Sequence, residues 1–336
     1  MDSTGKIARA ELSQLKAGQT ADFFAMLSEK QKRSTRDGKP YFQLKFKDRQ
    51  RTVSAPMWDG SPFFTSCDDW QVGQTFKIRA SYQEHKQYGP QIEIQNIRLA
   101  TDDDRADGYD PASFLSRTRF NVDEIYNELI EIAESISDSG LRDLVLHLFK
   151  KHEEIIREQP AACKNHHAYR GGYIEHTLSV VRTGLYLAQK YSDYYPELDP
   201  PLNRDLIVAG CILHDIGKIH ELALGVDSAQ YTIPGMLVGH IIIGRDMVRE
   251  AALELGNVDP ELLLYLEHII LSHQGTPEWG SPREPMMPEA FLVHHADDID
   301  AKMNMFVDSI AHHEGDDAFT VRNPALARRI LHKRTQ

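Results

Sequence analysis

Apolar and polar positions alternate along five segments in the first hundred residues, and these segments are rich in β-branched and aromatic residues. A period of two is typical of strands with one buried face. The predicted strands are Thr20 to Leu27, Tyr41 to Phe46, Arg51 to Trp58, Thr75 to Tyr82 and Gln91 to Leu99. Five short strands, with a helix-sized insert between the third and the fourth, predict a small all-β Greek-key barrel.

Beyond residue 115 the pattern changes, and apolar residues recur at spacings of three and four. This period predicts amphipathic helices that bury one face. The predicted helices are Val122 to Ser137, Leu141 to Glu158, Ile174 to Tyr191, Arg204 to Ile216, Val238 to Leu255, Pro260 to Ser272 and Glu289 to Ile310. The second part of this multidomain chain is therefore predicted to be an all-α helical bundle.

A short acidic stretch joins the two patterns. It reads Thr-Asp-Asp-Asp-Arg-Ala-Asp-Gly-Tyr-Asp from Thr101 and is followed by Pro111. Because such a stretch has almost nothing apolar to bury, it is predicted to be a linker. The predicted organisation is a barrel at 1–100, an acidic linker at 101–115 and a helical domain at 116–336.

The charge of the chain is divided unevenly between these parts. The net charge of −12 at pH 7 argues, by itself, against a nucleic-acid ligand. Residues 10–100, however, carry 14 Lys and Arg against 10 Asp and Glu, whereas residues 101–336 carry 22 against 39. An acidic body that can hold divalent cations, joined to a mildly basic small domain, is compatible with a nucleic-acid ligand.

The sequence carries no signal for export or for insertion into a membrane. Met1 to Thr20 lacks an apolar core segment, and no apolar run approaches the roughly 20 residues that span a bilayer. Cys67, Cys163 and Cys211 have no CxxC spacing and are expected to be reduced. We therefore expect a cytoplasmic protein with no membrane partner.

A five-stranded barrel of this kind resembles the OB-fold, and two of its predicted hairpin tips are basic. Lys30 to Lys39 is followed directly by an aromatic pair, and Gln83 to Pro90 mixes His, Lys and Tyr. Basic loops beside aromatic rings suit single strands, because bases stack on the rings. The alternative is that Tyr41 and Trp58 are core residues and the charged hairpin is merely solvated. The candidate nucleic-acid-binding residues are Lys30, Lys32, Arg33, Arg36, Lys39, Tyr41, Lys86 and Tyr88.

The adjacent pair His214-Asp215 lies within an apolar stretch of a predicted helix, Cys-Ile-Leu-His-Asp-Ile-Gly-Lys. Burying a carboxylate in such a place costs several kcal/mol unless a cation or strong donors face it. A metal ion is the simplest partner. For an isolated dyad, the alternative is an aspartate paired with Lys218 beside a histidine that is merely packed in the core.

Further histidines and an aspartate favour the metal over that alternative. They are His176 upstream and His240, His273 and Asp297 downstream, each in a predicted helix or at a helix end. In this order, with Gly-Gly-x-x-x-His-Thr before the first and Leu-His-Asp-Ile-Gly-Lys around the second, they resemble the HD-domain metal phosphohydrolases. The resemblance implies one ion on His176, His214, Asp215 and Asp297, and a second ion on His240 and His273 with Asp215 bridging.

The order of the two parts narrows the resemblance. An OB-fold, an acidic linker and an HD domain together resemble the YhaM-type 3′→5′ exoribonucleases over nearly the whole chain. This implies single-stranded RNA or DNA as partner, release of nucleoside 5′-monophosphates, Mn²⁺ as the working ion and a homo-oligomer. The ligand types alone leave Co²⁺, Fe²⁺ and Zn²⁺ open. Gln274 departs from the two-metal pattern, in which a second histidine often follows His273.

Basic residues beside the ligands are candidates for contacting the substrate phosphate. Lys218, one turn after His214, is placed to reach a phosphate oxygen. Arg170 and His167, just before the first ligand, are placed likewise, although a core role suits His167 equally well. The predicted catalytic residues are Asp215, Lys218 and Arg170.

Several other residues are predicted to be neighbours of the ligands or surface charges. His268 lies five positions before His273, so the two should point in different directions on one helix. Asp300 is expected to share the face of the last ligand as support. Glu175 and Glu221 are expected to be surface charges. The sequence leaves open the roles of His166, His167, His268, His294 and His295.

Two other functions are compatible with these motifs. One is an HD-domain nucleotidase or cyclic-nucleotide phosphodiesterase, for which a nucleic-acid-binding barrel would be superfluous. The other is a non-catalytic nucleic-acid-binding regulator, against which the intact ligand set argues. The favoured hypothesis is a metal-dependent 3′→5′ exoribonuclease.

Overall fold

The computed structural model describes residues 10–35, 37–48, 51–85, 89–110, 114, 117–163, 166–224, 229–313 and 317–333. The chain divides into two compact units, residues 1–116 and 117–336. Each unit has its own hydrophobic core. The boundary therefore falls after residue 116, later than the end of the predicted barrel.

The first unit is a closed barrel of five strands in the order β1-β2-β3-β5-β4, with β4 pairing back onto β1. Neighbours are antiparallel except β3 and β5, which are parallel. This is the arrangement of an OB-fold. The prediction of a small all-β barrel is thus confirmed. The strands are β1 (Thr20–Ser34), β2 (Pro40–Lys47), β3 (Thr52–Trp58), β4 (Thr75–His85) and β5 (Gly89–Leu99).

β1 is longer than its hydrophobic pattern indicates. Its first half pairs with β4, and after a bulge between Leu27 and Glu29 its second half pairs with β2. The second half has little burial, from Lys30 to Ser34, and so lacks the alternation that marks a strand. The hairpin tip was predicted to begin at Lys30, and this start is wrong, because Lys30 to Ser34 belong to β1.

The stretch predicted to be a linker is partly built into the barrel unit. Asp102–Asp107 forms a 3-10 helix, and Thr101 closes a capping box at its start. Asp104 is only 3% exposed and pairs with Lys77 of β4 and Arg98 of β5. The expectation that this stretch buries nothing is wrong, because two basic residues of the barrel neutralise its central carboxylate.

The second unit is a helical bundle, as predicted, with one short hairpin. Leu141 to Glu158 is two helices, because Lys150 and Lys151 favour an end and the following acids favour a new start. The elements are α1 (Val122–Glu134), α2 (Ser139–Lys151), α3 (Glu153–Glu158), α4 (Gly172–Tyr194), α5 (Arg204–Leu213), α6 (Lys218–Glu221), β6 (Leu222–Leu224), β7 (Ala229–Tyr231), α7 (Ile233–Leu237), α8 (His240–Leu255), α9 (Pro260–Ser272) and α10 (Pro288–Ala311).

α5 runs through the middle of the bundle, and α4, α9 and α10 pack around it. All eight residues from Leu206 to Leu213 are buried. Gly210 lets the neighbours approach, since a Cβ atom there would lie 2.7 Å from a methyl group of Ile269. The C-terminal end of α5 is thereby fixed inside the unit. In the described part of the chain, no helix is both long and apolar enough to cross a bilayer.

Candidate metal centre

The six predicted metal ligands meet at the C-terminal end of α5. α4 and α10 pass beside this end, α8 begins there and α9 finishes there. The residues are widely separated in sequence, so only the packing of the bundle brings them together. They are His176 from α4, His214 and Asp215 directly after α5, His240 from the first turn of α8, His273 directly after α9 and Asp297 from α10.

A close backbone contact sets His240 beside Asp215. Gly217 lies against the first turn of α8, where a Cβ atom would stand 2.0 Å from the carbonyl oxygen of His240. Only glycine fits at such an approach. The Ile-Gly that follows the dyad therefore has a packing reason, since it lets the segment after α5 touch α8.

The first group of ligand atoms surrounds the Nε2 atom of His176. Asp297 Oδ1 lies 3.2 Å from it and His214 Nε2 lies 3.3 Å from it. Asp215 Oδ2 is 3.4 Å from the Nε2 atom of His214. These atoms are close enough together to hold one cation.

The second group lies on the other oxygen of Asp215. Asp215 Oδ1 is 3.5 Å from the Nε2 atoms of both His240 and His273. One carboxylate thus faces both groups, with Oδ2 toward the first and Oδ1 toward the second. This is the geometry that a bridging ligand requires.

The residues present fit a divalent metal. Asp215 Oδ1 and His273 Nε2 are fully buried, yet they have no hydrogen-bond partner among the described residues. Buried polar atoms without partners are costly, and a cation between them would satisfy both. Imidazole nitrogens and carboxylate oxygens suit borderline divalent transition ions.

All four histidines turn the same ring atom toward the centre. Each donates its Nδ1–H to an acceptor behind it, which leaves Nε2 facing the other ligands. Two acceptors are backbone carbonyl oxygens and two are carboxylates. The pairs are His214 with Cys211 O at 2.9 Å, His273 with Ile270 O at 2.8 Å, His176 with Asp300 at 2.7 Å and His240 with Glu221 at 2.9 Å.

Asp300 is held by several donors at once. Its Oδ2 accepts from His176 and, at 2.9 Å, from His167, while Ser179 donates to Oδ1. These bonds, which outweigh burial, keep the pKa of Asp300 well below its usual range. The ring of His167 also bonds the hydroxyl of Tyr169 at 2.7 Å. His167 is therefore a buried structural residue, and its ring is not directed at a substrate phosphate.

Glu221 is buried, and the expectation of a surface charge is wrong. It accepts from both the ring Nδ1 and the backbone N–H of His240, each at 2.9 Å. The chain reverses through the β6–β7 segment and α7 and returns to this carboxylate. Glu175 is also largely buried and lies 3.9 Å from His167.

Burial and hydrogen bonding compete at His176. Burial lowers the pKa of His176, but hydrogen bonds to Asp297 and Asp300 outweigh it and raise the pKa to about 9. His166 differs, since burial and the charge of Lys218 lower its pKa to about 3. A cation bound at the first group would displace the Nε2 proton of His176.

Lys218 lies inside the centre rather than at its edge. Its Nζ is 2.6 Å from Asp215 Oδ2, and the side chain is buried. Burial lowers the pKa of Lys218, but the Asp215 carboxylate outweighs burial and raises it. The ammonium therefore stays charged and offers its remaining donors to a ligand of the centre.

Arg170 does not join the cluster. Its guanidinium forms an ion pair with Glu158, with Nε 2.9 Å from Oε2. Within the described ranges it has no ion pair with a carboxylate of the centre. The predicted contact between Arg170 and a substrate phosphate thus has no support in this geometry.

The remaining histidines differ in whether they contact a predicted metal ligand. His294 donates its Nδ1–H to the carbonyl oxygen of His273 at 2.7 Å. His268 accepts from the backbone N–H of Met286 at 2.9 Å, so it points away from His273 as predicted. His295 packs against Phe291. Gln274, noted for its departure from the pattern, places its amide 3.5 Å from the Nε2 atom of His240.

A cavity of about 260 Å³ opens onto the centre. Other cavities of about 600 and 480 Å³ lie elsewhere in the two units and contain none of the six ligands. The cavity of about 260 Å³ is therefore the candidate substrate site, because a reacting bond must lie beside the ligands. Its walls include Lys218, His273, Asp297, Trp279, His294 and Lys302.

The predicted nucleic-acid-binding residues of the barrel have different surroundings. Lys30 donates to the carbonyl oxygens of Cys67, Asp68 and Trp70 at 2.9, 3.0 and 2.5 Å, so it has a structural role. Lys32 is half exposed, 3.0 Å from Asp68. Arg33 bonds its strand neighbour Gln31, and Lys39 is exposed. The candidates that lie outside the described residues are Arg36, Lys86 and Tyr88.

Tyr41 and Trp58 form an aromatic pair at the ends of β2 and β3. Their ring centroids are 4.8 Å apart, and Trp58 is 50% exposed. The alternative in which both rings are core residues is wrong, because Trp58 is half exposed and Tyr41 is only partly buried. The exposed ring of Trp58 is a surface on which a base can stack.

Comparisons with known proteins agree with this geometry. A family model of the HD domain matches residues 173–302, the range that contains all six candidate ligands. A second model, TraI_2, a helicase family, matches residues 108–205. The sequence has no G-x-x-x-x-G-K-[ST] motif, so a helicase nucleotide site has no support. The class is therefore an HD-domain hydrolase whose helical unit follows an OB-type barrel.

Curated relatives name the family. The 3′-5′ exoribonuclease YhaM of Bacillus pumilus (strain SAFR-032) is 33% identical over 318 residues, covering 95% of this chain and 96% of that protein. The 3′-5′ exoribonuclease YhaM of Bacillus subtilis (strain 168) is 34% identical with the same coverage. The chain belongs to the YhaM family of 3′-5′ exoribonucleases.

A solved structure also aligns with part of the chain. A domain of replication protein A from Methanococcus maripaludis covers 27% of this chain and 94% of that domain, at 15% identity and a TM-score of 0.22. This similarity is too low to carry an argument. The barrel assignment rests on the strand order described above.

Proposed function

We propose that this protein is a metal-dependent 3′→5′ exoribonuclease that shortens single-stranded RNA and releases nucleoside 5′-monophosphates. The observation that carries the proposal is Asp215, whose two oxygens face two separate groups of ligand atoms. Two divalent ions of the kind that Mn²⁺ represents would fit these groups. When bound, such ions would activate a water molecule and stabilise the charge that develops on the phosphate.

The reaction is hydrolysis of the last phosphodiester bond. A water oxygen bonds to the phosphorus, and the bond from phosphorus to the 3′ oxygen of the preceding nucleotide breaks. The released nucleotide keeps the phosphate on its 5′ carbon. The 3′ oxygen takes up a proton and becomes the new end of the shortened strand.

Residues of the chain position the phosphate for this reaction. The side chain of Lys218 is charged and has little contact with bulk solvent, but it lines the cavity. Its ammonium can therefore neutralise a phosphate oxygen there. Its ion pair with Asp215 already holds the ammonium in place, so the Lys218 side chain loses little further conformational entropy when a phosphate binds. His166 lines the same cavity and is neutral at physiological pH, so it can hydrogen-bond the substrate without adding charge.

The barrel supplies affinity for longer strands in this proposal. Trp58, packed against Tyr41, offers an exposed ring for stacking, and Lys32 and Lys39 offer charge for the phosphates. A free nucleotide would need none of these features. This favours a polymeric substrate over the nucleotidase alternative.

The test uses single-stranded RNA labelled at its 5′ end and the purified full chain with Mn²⁺. We expect a ladder of strands that shorten from the 3′ end, with nucleoside 5′-monophosphates as the only small product. DNA of the same sequence, assayed in parallel, measures the preference for ribose. No cleavage, or products that appear first from the labelled end, would contradict the proposal.

A further inference from the structure

Trp279 stands in the wall of the cavity that opens onto the metal centre, with more than half of its surface exposed. It ends the short turn Pro277–Trp279 between α9 and α10. Its exposed fraction is 54%, whereas Trp70 of the barrel core is 8% exposed. The same cavity is lined by Asp297 and His273. The exposed indole therefore leaves an aromatic face beside the candidate metal centre, and covering that face with a flat apolar group would be favourable.

The turn that carries Trp279 is fixed to the metal centre. Gly275 has a φ of +87°, and a Cβ atom there would stand 2.3 Å from the ring of His294. Only glycine therefore fits between this ring and the turn. His294 in turn bonds the carbonyl oxygen of His273. The path from ligand to indole is thus rigid and short.

The indole is also held from α10. Lys302 places its ammonium 4.9 Å from the centroid of the Trp279 ring, within the range of a cation–π contact. Asp298 holds that ammonium at 2.7 Å. The ring of His294 lies 6.4 Å from the indole, inclined by 39°. Trp279 is therefore oriented before any ligand arrives, which lowers the entropic cost of stacking on it.

The size of the cavity limits what can cover the indole. Its volume of about 260 Å³ is below the roughly 300 to 1,000 Å³ typical of drug-sized ligand sites. One nucleotide unit is the largest part of an RNA strand that such a space takes beside the ligands. A nucleobase is flat, aromatic and attached about one sugar away from the phosphate.

We propose that Trp279 forms the subsite for the base of the 3′-terminal nucleotide, which stacks on the exposed indole while its phosphate reaches the metal centre. This inference rests on the proposed function and adds the part of the substrate that the cavity recognises. Stacking accepts every base, because each has a π face. The subsite would therefore hold any terminal nucleotide in place without selecting its sequence.

The first test combines a change in the protein with a change in the substrate. RNA whose terminal nucleotide lacks its base should react with a kcat/KM about tenfold or more below that of intact RNA in the wild type. Trp279→Ala should remove this difference, and Trp279→Phe should keep most of it. If Trp279→Ala slows both substrates by the same factor, the two changes are additive and the stacking subsite is wrong.

A matched control keeps the comparison specific. Tyr186 is 68% exposed on α4 and lines none of the cavities described above, so Tyr186→Ala should preserve the difference between the two substrates. Circular dichroism of each variant checks folding. If Trp279→Ala unfolds, Trp279→Leu keeps an apolar side chain without an aromatic face and should give the same loss of discrimination.

A binding measurement separates this inference from the proposed function. Adenosine 5′-monophosphate and ribose 5-phosphate are titrated into the full chain by calorimetry, with the same Mn²⁺ concentration. Adenosine 5′-monophosphate should bind about tenfold or more tightly, and Trp279→Ala should remove that advantage. Equal affinities in the wild type would overturn the subsite. A wild type that binds in this way but cleaves no RNA would overturn the exoribonuclease instead.

Discussion

Asp300 accepts a hydrogen bond of 2.7 Å from the Nδ1 atom of His176, whose Nε2 atom faces Asp297 and Asp215. Such a carboxylate behind a ligating imidazole fixes the ring and raises its basicity. Both carboxylates that play this part, Asp300 and Glu221, lie outside the six predicted ligands. Asp300 orients a histidine of the first group of ligands, whereas Glu221 orients His240 of the second group.

We predict that Asp300→Asn weakens metal binding more than it changes the fold. The amide can still accept from His176, but it loses the charge that strengthens this bond. Loss of such a partner typically lowers metal affinity by about 10- to 100-fold. Metal affinity is measured by competition with a chelator. Asp308→Asn on the same helix is the control, because Asp308 is exposed and pairs with His312, and an equal effect there would contradict the assignment.

Replacement of the dyad should abolish hydrolysis. Asp215→Ala removes the carboxylate that faces both groups, so we expect a rate loss of more than about a thousandfold, some 4 kcal/mol of barrier. His214→Ala should act in the same direction. Turnover retained by a folded Asp215→Ala protein would contradict the metal centre.

Removal of the metal should have the same effect as these substitutions. After chelation, the wild type should regain activity with Mn²⁺ at lower concentrations than with Mg²⁺, because imidazole fits the softer ion.

The second group of ligands can be tested by counting metal ions. The Nε2 atoms of His240 and His273 both face Asp215 Oδ1, the oxygen turned away from the first group, so their joint replacement by Ala should halve the bound metal and leave the first ion in place. RNA affinity should stay nearly unchanged if, as proposed, the barrel supplies most of it. The measurement is elemental analysis combined with single-turnover rates. One ion in both proteins and rates within about tenfold would show a mononuclear centre.

The sequence predicted which residues would lie together from their order along the chain, since each of them is a weak signal by itself. The His-Asp pair stands out in an apolar helix, and α9 has the bounds that its apolar period indicates. Spacing also placed Asp300 on the face of Asp297, three residues away. The resemblance implied that Asp215 bridges two ions, but spacing could not show how its two oxygens are directed, because His240 reaches Asp215 through the contact of Gly217 with the first turn of α8.

Glu221 and Lys30 show where charge patterns mislead. Glu221 meets His240 only because a hairpin of three-residue strands and the short α7 turn the chain back, and such short elements have no period. Lys30 belongs to a basic run, yet its donors go to carbonyl oxygens about 40 residues later in the chain. The sequence shows the charge of a residue but not its distant partners.

The contrast between Lys30 and Lys32 gives a prediction for the barrel. Lys30→Ala should destabilise the barrel by about 1 to 3 kcal/mol, because three carbonyl oxygens, two of them in part-buried bonds, lose a charged donor. Lys32→Ala should leave stability nearly unchanged. It should instead weaken binding to long single strands and reduce the slope of log affinity against log salt by about 1. The measurements are chemical denaturation and filter binding at several salt concentrations, and a reversed pattern would contradict both assignments.

The ion pairs that hold the buried carboxylate of Asp104 predict a pH-dependent stability of the barrel unit. The hydrogen bond from Arg98, together with Thr101 and Lys77, outweighs burial and keeps the pKa of Asp104 far below its usual range. A group with a lowered folded pKa contributes stability above its unfolded pKa of about 4, and this contribution is lost as the pH falls further. Asp104→Asn should therefore cost about 1 to 3 kcal/mol at pH 7 and progressively less below about pH 4.

The matched control for Asp104 lies in the same turn. Asp102 is exposed and, among the described residues, pairs with Arg105 of its own helical turn alone, so Asp102→Asn should change stability by less than about 0.5 kcal/mol at either pH. Amide hydrogen exchange in β4 and β5 measures the barrel alone, which matters because the two units need not unfold together. A loss of protection in Asp104→Asn that is as large at pH 3 as at pH 7 would show that packing, and not the ion pairs, makes Asp104 important.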